Sequence, residues 1–115
     1  LPGVHFEVPK DEQIDMTEIR AGDGDCAERG SEVTMKYRGT LASDGSEFDA
    51  ASRFEFTLGA GEVIKGWDTG ILGMRVGGKR TLIIPPKLGY GKRGSPPEIP
   101  GDATLVFDVE LLAVN

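Results

Sequence analysis

The residue types that enzymes commonly use for nucleophilic attack, proton transfer or metal binding are scarce in this sequence. It contains a single histidine, His5, and a single cysteine, Cys26. A lone histidine lacks the partners that a metal ligand or a catalytic base requires. Zinc-protease, paired-cysteine and nucleophile-elbow motifs do not occur in the sequence either. We therefore expect no covalent intermediate, no metal and no other cofactor.

Aromatic residues are the group whose types and spacing do indicate a site. On the predicted strand faces, helix face and loop they are Tyr37, Phe48, Phe54, Phe56, Trp67, Tyr90 and Phe107. Each one taken alone is more simply a core residue. However, Trp67 and Tyr90 carry polar groups that a dry core would have to satisfy, and Asp49 adds a carboxylate beside Phe48. An aromatic hollow with a few polar groups is typical of a small-ligand site, although Asp49 could equally cap a local turn.

Charge and motifs argue against several classes of partner. Nineteen acidic and 13 basic residues give a net charge of −6, which disfavours nucleic acid and anionic membranes. The segment 89–94, GYGKRG, matches a dinucleotide-binding glycine pattern, but prolines follow it where that site requires a helix. We interpret the basic pairs Lys79-Arg80 and Lys92-Arg93 as solvated ends of elements. We expect neither nucleic acid nor a membrane as a partner.

The segment 61–74, GEVIKGWDTGILGM, is predicted to contain the helix that supports the aromatic group, with Gly73 where a left-handed cap could end it. Ile64, Trp67 and Ile71 recur at i, i+3 and i+7 and so share one side of a helix. Asp68 lies in the first turn, where a carboxylate suits the partial positive charge of a helix start. So short a helix is unstable alone, so we expect a sheet to wrap it and Trp67 to form the floor of a pocket between them.

Alternating apolar and polar residues predict four or five strands. The best example is 32–41, in which Val33, Met35 and Tyr37 share one face. The other predicted strands are 16–21, 54–58, 79–84 and 104–114. Together with the helix they predict an α+β domain with a mainly antiparallel sheet. We divide the chain into an N-terminal extension, 1–15, and one domain, 16–115.

The segment 85–103 is the exception to this pattern. Its five prolines and four glycines exclude a helix or a central strand. A connection this long inside a compact domain is usually functional. We expect Tyr90 and Ile99 to anchor it over the pocket.

An ordered set of motifs between about Thr17 and Val114 resembles the FKBP family, the peptidyl-prolyl cis/trans isomerases that bind macrolides such as rapamycin and tacrolimus. The motifs are Lys36-Tyr37 with Gly39, Phe48-Asp49, EVIKGW at 62–67, GYG at 89–91, Ile99-Pro100 and ATLVF at 103–107. The resemblance implies a curved antiparallel sheet of about five strands around one short α-helix. It also implies proline-containing peptides or unfolded proteins as substrates, and non-covalent stabilisation of the twisted X–Pro amide as the mechanism.

The resemblance also assigns the site residues. The catalytic pocket would be formed by Tyr37, Phe48, Asp49, Trp67, Tyr90 and Phe107. Substrate and macrolides would further contact Phe54, Glu62, Val63, Ile64 and Ile99. In the family, the backbone N–H at the position of Ile64 and the hydroxyl at that of Tyr90 bind ligand carbonyls. Asp49 would orient Tyr37 or Arg53, or act through its field.

Three departures from the family pattern keep alternatives open. The segment 50–53 is shorter than usual, Ser95 stands where some members have histidine, and Glu98 stands where an apolar residue is common. One alternative is a binding module that holds proline segments or macrolides but turns over poorly. Another is an interaction domain of a larger protein that uses 85–103 as its contact surface. The sequence favours a cytoplasmic monomer, and because a Leu-Pro-Gly start is typical of a trimmed chain, an organelle-targeted or secreted form stays open.

Overall fold

The structure, a computed structural model, describes residues 14–114. Most of the expected N-terminal extension, residues 1–13, lies outside the described residues, and Asp15 already belongs to a strand. The elements in chain order are β1 (Asp15–Arg20), β2 (Glu32–Leu41), β3 (Glu47–Thr57), α1 (Lys65–Gly70), β4 (Lys79–Ile84), a short 3₁₀ turn (Pro86–Leu88) and β5 (Leu105–Val114).

The five strands form one sheet in the order β1-β4-β5-β2-β3, and all neighbouring pairs are antiparallel. The predicted α+β class, with about five strands and one short helix, is confirmed. β5 lies at the centre because alternate residues along it, Leu105, Phe107, Val109 and Leu111, are all buried on the face toward the helix. This regular alternation is why the strand could be recognised from the sequence.

The helix packs on β4 through its glycines. A methyl group at Gly66 would lie 2.6 Å from Cδ1 of Ile84, and one at Gly70 would lie 2.9 Å from Cδ1 of Leu82. Any larger residue would therefore push the helix away from the sheet. This close approach brings Trp67, between the two glycines in the sequence, against the concave face of the sheet.

The helix occupies the six residues Lys65–Gly70, within the segment 61–74 where it was predicted. It begins after Ile64, whose backbone is extended with ψ of 150°. Gly73 has φ of 82°, the left-handed conformation expected of a residue just beyond a helix end. Trp67 and Ile71 are buried in the core, and Ile64, the residue before the helix, packs against it.

Strand β3 is longer than predicted. We expected 54–58, but the strand runs over Glu47–Thr57 and includes Phe48 and Asp49. Its register with β2 shifts twice, between Met35 and Tyr37 and between Gly39 and Thr40. Such bulges break the two-residue alternation, which is why the pattern did not show the strand continuing through 50–53.

Arg80 corrects another expectation. We interpreted it as a solvated end of an element, but its exposed fraction is only 7%. Its Nη1 donates hydrogen bonds to the carbonyl oxygens of Gly70 (3.0 Å) and Leu72 (2.9 Å) at the end of the helix. Glu18 of β1 lies 3.5 Å from its Nη2. The guanidinium thus satisfies carbonyls that a helix end leaves without partners.

Candidate ligand-binding site

A cavity of about 230 Å³ lies between the concave face of the sheet, the helix and the loop after β4. The residues that line it are Tyr37, Phe48, Asp49, Phe54, Glu62, Val63, Ile64, Trp67, Tyr90 and Phe107. The structure therefore brings together every predicted site residue except Ile99. Ile99 is 4% exposed, belongs to the core and does not line the cavity, and its contact with a ligand stays a prediction.

Trp67 forms the floor of this cavity, as predicted. Its indole ring is held by edge contacts with Tyr37, at a centroid distance of 4.7 Å, and with Phe107, at 5.2 Å. Phe56, which we included in the aromatic group, packs 5.7 Å from Trp67 but is buried and does not line the cavity. The indole Nε1 is buried and has no hydrogen-bond partner among residues 14–114. Such edge contacts stabilise the aromatic cluster beyond the area it buries.

The wall opposite the helix depends on a glycine that we noted only as part of a family motif. Phe48 and Phe107 meet edge to face at 5.5 Å above Gly39 of β2. A methyl group at Gly39 would lie 2.6 Å from Cζ of Phe48 and 2.7 Å from Cε1 of Phe107. Gly39 thus leaves the space in which the two rings pack. A glycine inside a strand is the sequence signal for such close approach.

Asp49 is held by a tyrosine. The Tyr37 hydroxyl donates a 2.6 Å hydrogen bond to Oδ2 of Asp49, and the N–H of Ala50 donates to Oδ1 at 2.9 Å. Arg53 instead pairs with Glu55, with 2.9 Å between Nη2 and Oε1. Burial, followed by the hydrogen bond to Asp49 and its charge, raises the pKa of Tyr37. Of the partners left open by the sequence, the structure therefore selects Tyr37, which stays protonated and donates.

Tyr90 lies at the rim of the cavity. Its side chain is 40% exposed, and burial and the charge of Asp49 raise the pKa of its hydroxyl. The surrounding loop is ordered by backbone hydrogen bonds, including Gly94 N–H to Tyr90 O (3.1 Å) and the paired Ser95 and Ile99 (2.8 and 3.0 Å). Since Ile99 is buried, the loop is anchored to the core and carries Tyr90 at a defined place.

Apart from the buried indole N–H of Trp67, the cavity has two donors without a partner among residues 14–114, at Ile64 and Tyr90. The carbonyl of Ile64 accepts from the N–H of Trp67 at 3.0 Å, but the Ile64 N–H itself donates to no acceptor in the described chain. The Tyr90 hydroxyl likewise has no hydrogen-bond partner within 14–114. The cavity thus combines an apolar aromatic floor with two unused donors, which is the pattern of a site that orients a ligand with carbonyl groups.

Within residues 14–114, no three His, Cys, Asp or Glu side chains group closely enough to hold a metal ion. Every helix in the same range is too short or too polar to cross a bilayer.

The sequence profile of the FKBP-type peptidyl-prolyl cis-trans isomerases matches residues 24–112 of this chain. The chain therefore belongs to the FKBP-type peptidyl-prolyl cis-trans isomerase family, and the resemblance stated from the motifs is confirmed.

Particular relatives extend the match. The chain is 58% identical over 93 residues to peptidyl-prolyl cis-trans isomerase FKBP15-2 of Arabidopsis thaliana, covering 77% of this chain and 56% of that protein. It is 61% identical over 91 residues to FK506-binding protein 2 of Emericella nidulans, covering 76% and 67%. The crystal structure of AtFKBP13 superposes with a TM-score of 0.82 at 37% identity, covering 89% of this chain and 93% of that one. The chain thus spans about half to two thirds of the length of these two sequence relatives.

Proposed function

We propose that this chain is a peptidyl-prolyl cis/trans isomerase that acts on proline-containing peptides and unfolded proteins and binds macrolides of the rapamycin and tacrolimus type. The observation that carries the proposal is the aromatic cavity with Trp67 as its floor and free donors at Ile64 and Tyr90. Family membership supports the same reaction.

The mechanism follows from the chemistry of the X–Pro amide. Rotation about this bond costs about 18–20 kcal/mol because resonance must be broken. The planar amide is more charge-separated than the twisted one. Transfer from water to an apolar enclosure therefore costs the planar form more, and the free-energy difference between the two forms becomes smaller. A rate gain of about 10⁴ requires only roughly 5.5 kcal/mol. No proton transfer or covalent step is needed, and the cavity residues therefore act by binding the twisted form.

The residues that line the cavity have different roles in this mechanism. Trp67 seats the pyrrolidine ring, and Phe48 and Phe107 close one wall. The Ile64 N–H and the Tyr90 hydroxyl hold the carbonyls that flank the proline, so the peptide stays in place while the bond turns. Asp49 has both oxygens occupied by donors of the protein, and it acts through Tyr37 and through its negative charge.

The deciding experiment is cis/trans relaxation of an Xaa-Pro tetrapeptide with and without rapamycin. We expect catalytic amounts of the protein to accelerate the relaxation and one equivalent of rapamycin to abolish the acceleration. The same protein should shorten a refolding phase limited by proline isomerisation. A rate equal to the uncatalysed rate in both assays would refute the proposal.

A second candidate is a binding module with poor turnover. It is favoured by one observation: Arg53, on the short segment 50–53, pairs with Glu55 and leaves the cavity carboxylate without an arginine. Rapamycin binding that quenches Trp67 fluorescence, with no acceleration of the tetrapeptide, would identify the chain as this module. Acceleration that rapamycin inhibits would exclude it.

A further inference from the structure

The loop between β3 and the helix, residues 58–64, is fixed largely by side-chain carboxylates. Asp68 accepts hydrogen bonds from the N–H groups of Gly59 (2.8 Å, to Oδ1) and Gly61 (3.2 Å, to Oδ2). Glu62 accepts from the N–H of Thr57 at 3.0 Å. The loop ends at Ile64, whose N–H is one of the two free donors of the cavity.

Backbone hydrogen bonds alone hold this loop weakly. Leu58 is well anchored, since its N–H donates to Ser31 O at 2.9 Å. Beyond Leu58, the hydrogen bond from Ala60 N–H to Thr57 O is long, at 3.4 Å. Hydrogen bonds from amides to a carboxylate are roughly twice as strong as neutral ones. The two bonds to Asp68, together with the bond from Thr57 N–H to Glu62, are therefore the main restraints on the path from Gly59 to Ile64.

Asp68 lies in the first turn of the helix, as the sequence predicted, and both of its oxygens also bond to amides of the preceding loop. Gly59 and Gly61 have φ of 82° and 76°, a conformation that leaves their N–H groups near one carboxylate and that other residues adopt only with strain. The two left-handed glycines and Asp68 thus act together to fix the path of the loop.

The geometry points to Asp68 as a positioning residue of the ligand site: by bonding Gly59 and Gly61 it holds the loop in the conformation that presents the Ile64 N–H to a ligand carbonyl. The identity of that ligand rests on the function proposed above. A loop released from Asp68 also occupies other conformations. The apparent affinity for the ligand is then the intrinsic affinity multiplied by the fraction of molecules whose loop can still bind.

The test uses three variants of one helix. Asp68→Ala removes both acceptors, and Asp68→Asn keeps one amide oxygen as acceptor. Thr69→Ala is the matched control, since Thr69 is the next residue, is exposed and makes no hydrogen bond through its side chain within the described range. Rapamycin affinity and tetrapeptide kcat/KM are measured at a temperature where all variants are folded. We expect Asp68→Ala to weaken both by about five- to tenfold, Asp68→Asn to weaken them less, and Thr69→Ala to match wild type.

A second readout separates positioning from loss of stability. The backbone amide of Ile64 is followed by NMR, and Val109→Ala serves as a variant that destabilises the core away from the loop. We expect the Ile64 amide to shift and exchange faster in Asp68→Ala but to remain as in wild type in Val109→Ala, although both unfold earlier.

Two outcomes overturn the inference: wild-type affinity in a folded Asp68→Ala, or an unchanged Ile64 amide in that variant. If Asp68→Ala does not fold, the same two criteria apply to Asp68→Asn. A wild-type protein that neither isomerises nor binds rapamycin refutes the proposed function, and the Ile64 amide in the Asp68 variants then still decides whether Asp68 holds the loop.

Discussion

The hydroxyl of Tyr37 donates a 2.6 Å hydrogen bond to Oδ2 of Asp49, across the pair of strands β2 and β3. The other carboxylate oxygen accepts the N–H of Ala50 at 2.9 Å. Because both oxygens already accept protein hydrogen bonds, Asp49 has a fixed orientation. We expect its charge to act on a bound amide as a fixed field rather than as a proton acceptor.

Tyr37→Phe tests this relationship. The variant keeps the ring that packs 4.7 Å from Trp67 but removes the donor to Asp49. We expect kcat/KM for the tetrapeptide to fall by about five- to tenfold, since a hydrogen bond to a charged group contributes roughly 1.5–3 kcal/mol at most. Asp49→Val should lower turnover further, with the fold intact by circular dichroism, because it removes the charge as well. Wild-type turnover in both variants would contradict the role assigned to the pair.

The raised pKa values of the two cavity tyrosines predict that the protein loses stability at alkaline pH. Burial and the neighbouring Asp49 raise the pKa of both Tyr37 and Tyr90 above the ordinary value near 10. Above about pH 10 the unfolded chain releases tyrosine protons that the folded chain retains, so the free energy of unfolding falls as pH rises. Below about pH 9 both states hold these protons and the tyrosines cause no change.

Urea unfolding of wild type and of Tyr37→Phe/Tyr90→Phe between pH 8 and about pH 11 measures this effect. All other titratable groups are identical in the two proteins, so their contributions cancel in the comparison. We expect the double variant to lose less stability above about pH 10. Parallel curves for the two proteins would show that neither tyrosine contributes.

Gly39→Ala tests the space under the cavity wall. The added methyl group would lie 2.6 Å from Phe48 and 2.7 Å from Phe107, so both rings must move. We expect a loss of about 1–3 kcal/mol in the free energy of unfolding and weaker rapamycin binding. Ser52→Ala, on the exposed part of β3, is the control and should change neither quantity. Unchanged affinity in Gly39→Ala would show that the wall tolerates displacement of the rings.

We predict that the Arg75→Cys variant forms a new disulfide with Cys26. The two positions form an isolated antiparallel bridge, flanked by the hydrogen bonds from Ala27 N–H to Met74 O (2.7 Å) and from Val76 N–H to Asp25 O (3.0 Å). This makes them a non-hydrogen-bonded pair, whose Cα atoms lie about 4.5 Å apart, within the range of disulfides. We expect oxidised Arg75→Cys to gain about 2–4 kcal/mol of stability.

Thermal unfolding with and without reductant measures that gain, and Cys26→Ser/Arg75→Cys is the control that cannot form the bridge. Two free thiols in the oxidised variant would contradict the predicted geometry.

Much of the fold could be predicted because strand alternation is a local signal. The alternation along 32–41 and 104–114 predicted β2 and β5 nearly to the residue. The prediction failed where geometry is set by contacts. The helix was placed within 61–74 with a left-handed cap at Gly73, but its periodicity did not show that only the six residues Lys65–Gly70 are helical. The predicted strand β3 was too short because two bulges interrupt the alternation of apolar and polar residues along it.

The sequence by itself indicated which residues line the cavity, because the ordered motifs include Trp67, Ile64 and Tyr90. Only the tertiary structure decided the partners of its carboxylates. Asp49 accepts from Tyr37 while Arg53 bonds to Glu55, and Asp68, in the first turn of the helix, also accepts from two loop glycines. The physical reason is that a hydrogen bond depends on distances of a few tenths of an ångström, which strand register, bulges and loop paths set and residue spacing alone does not encode.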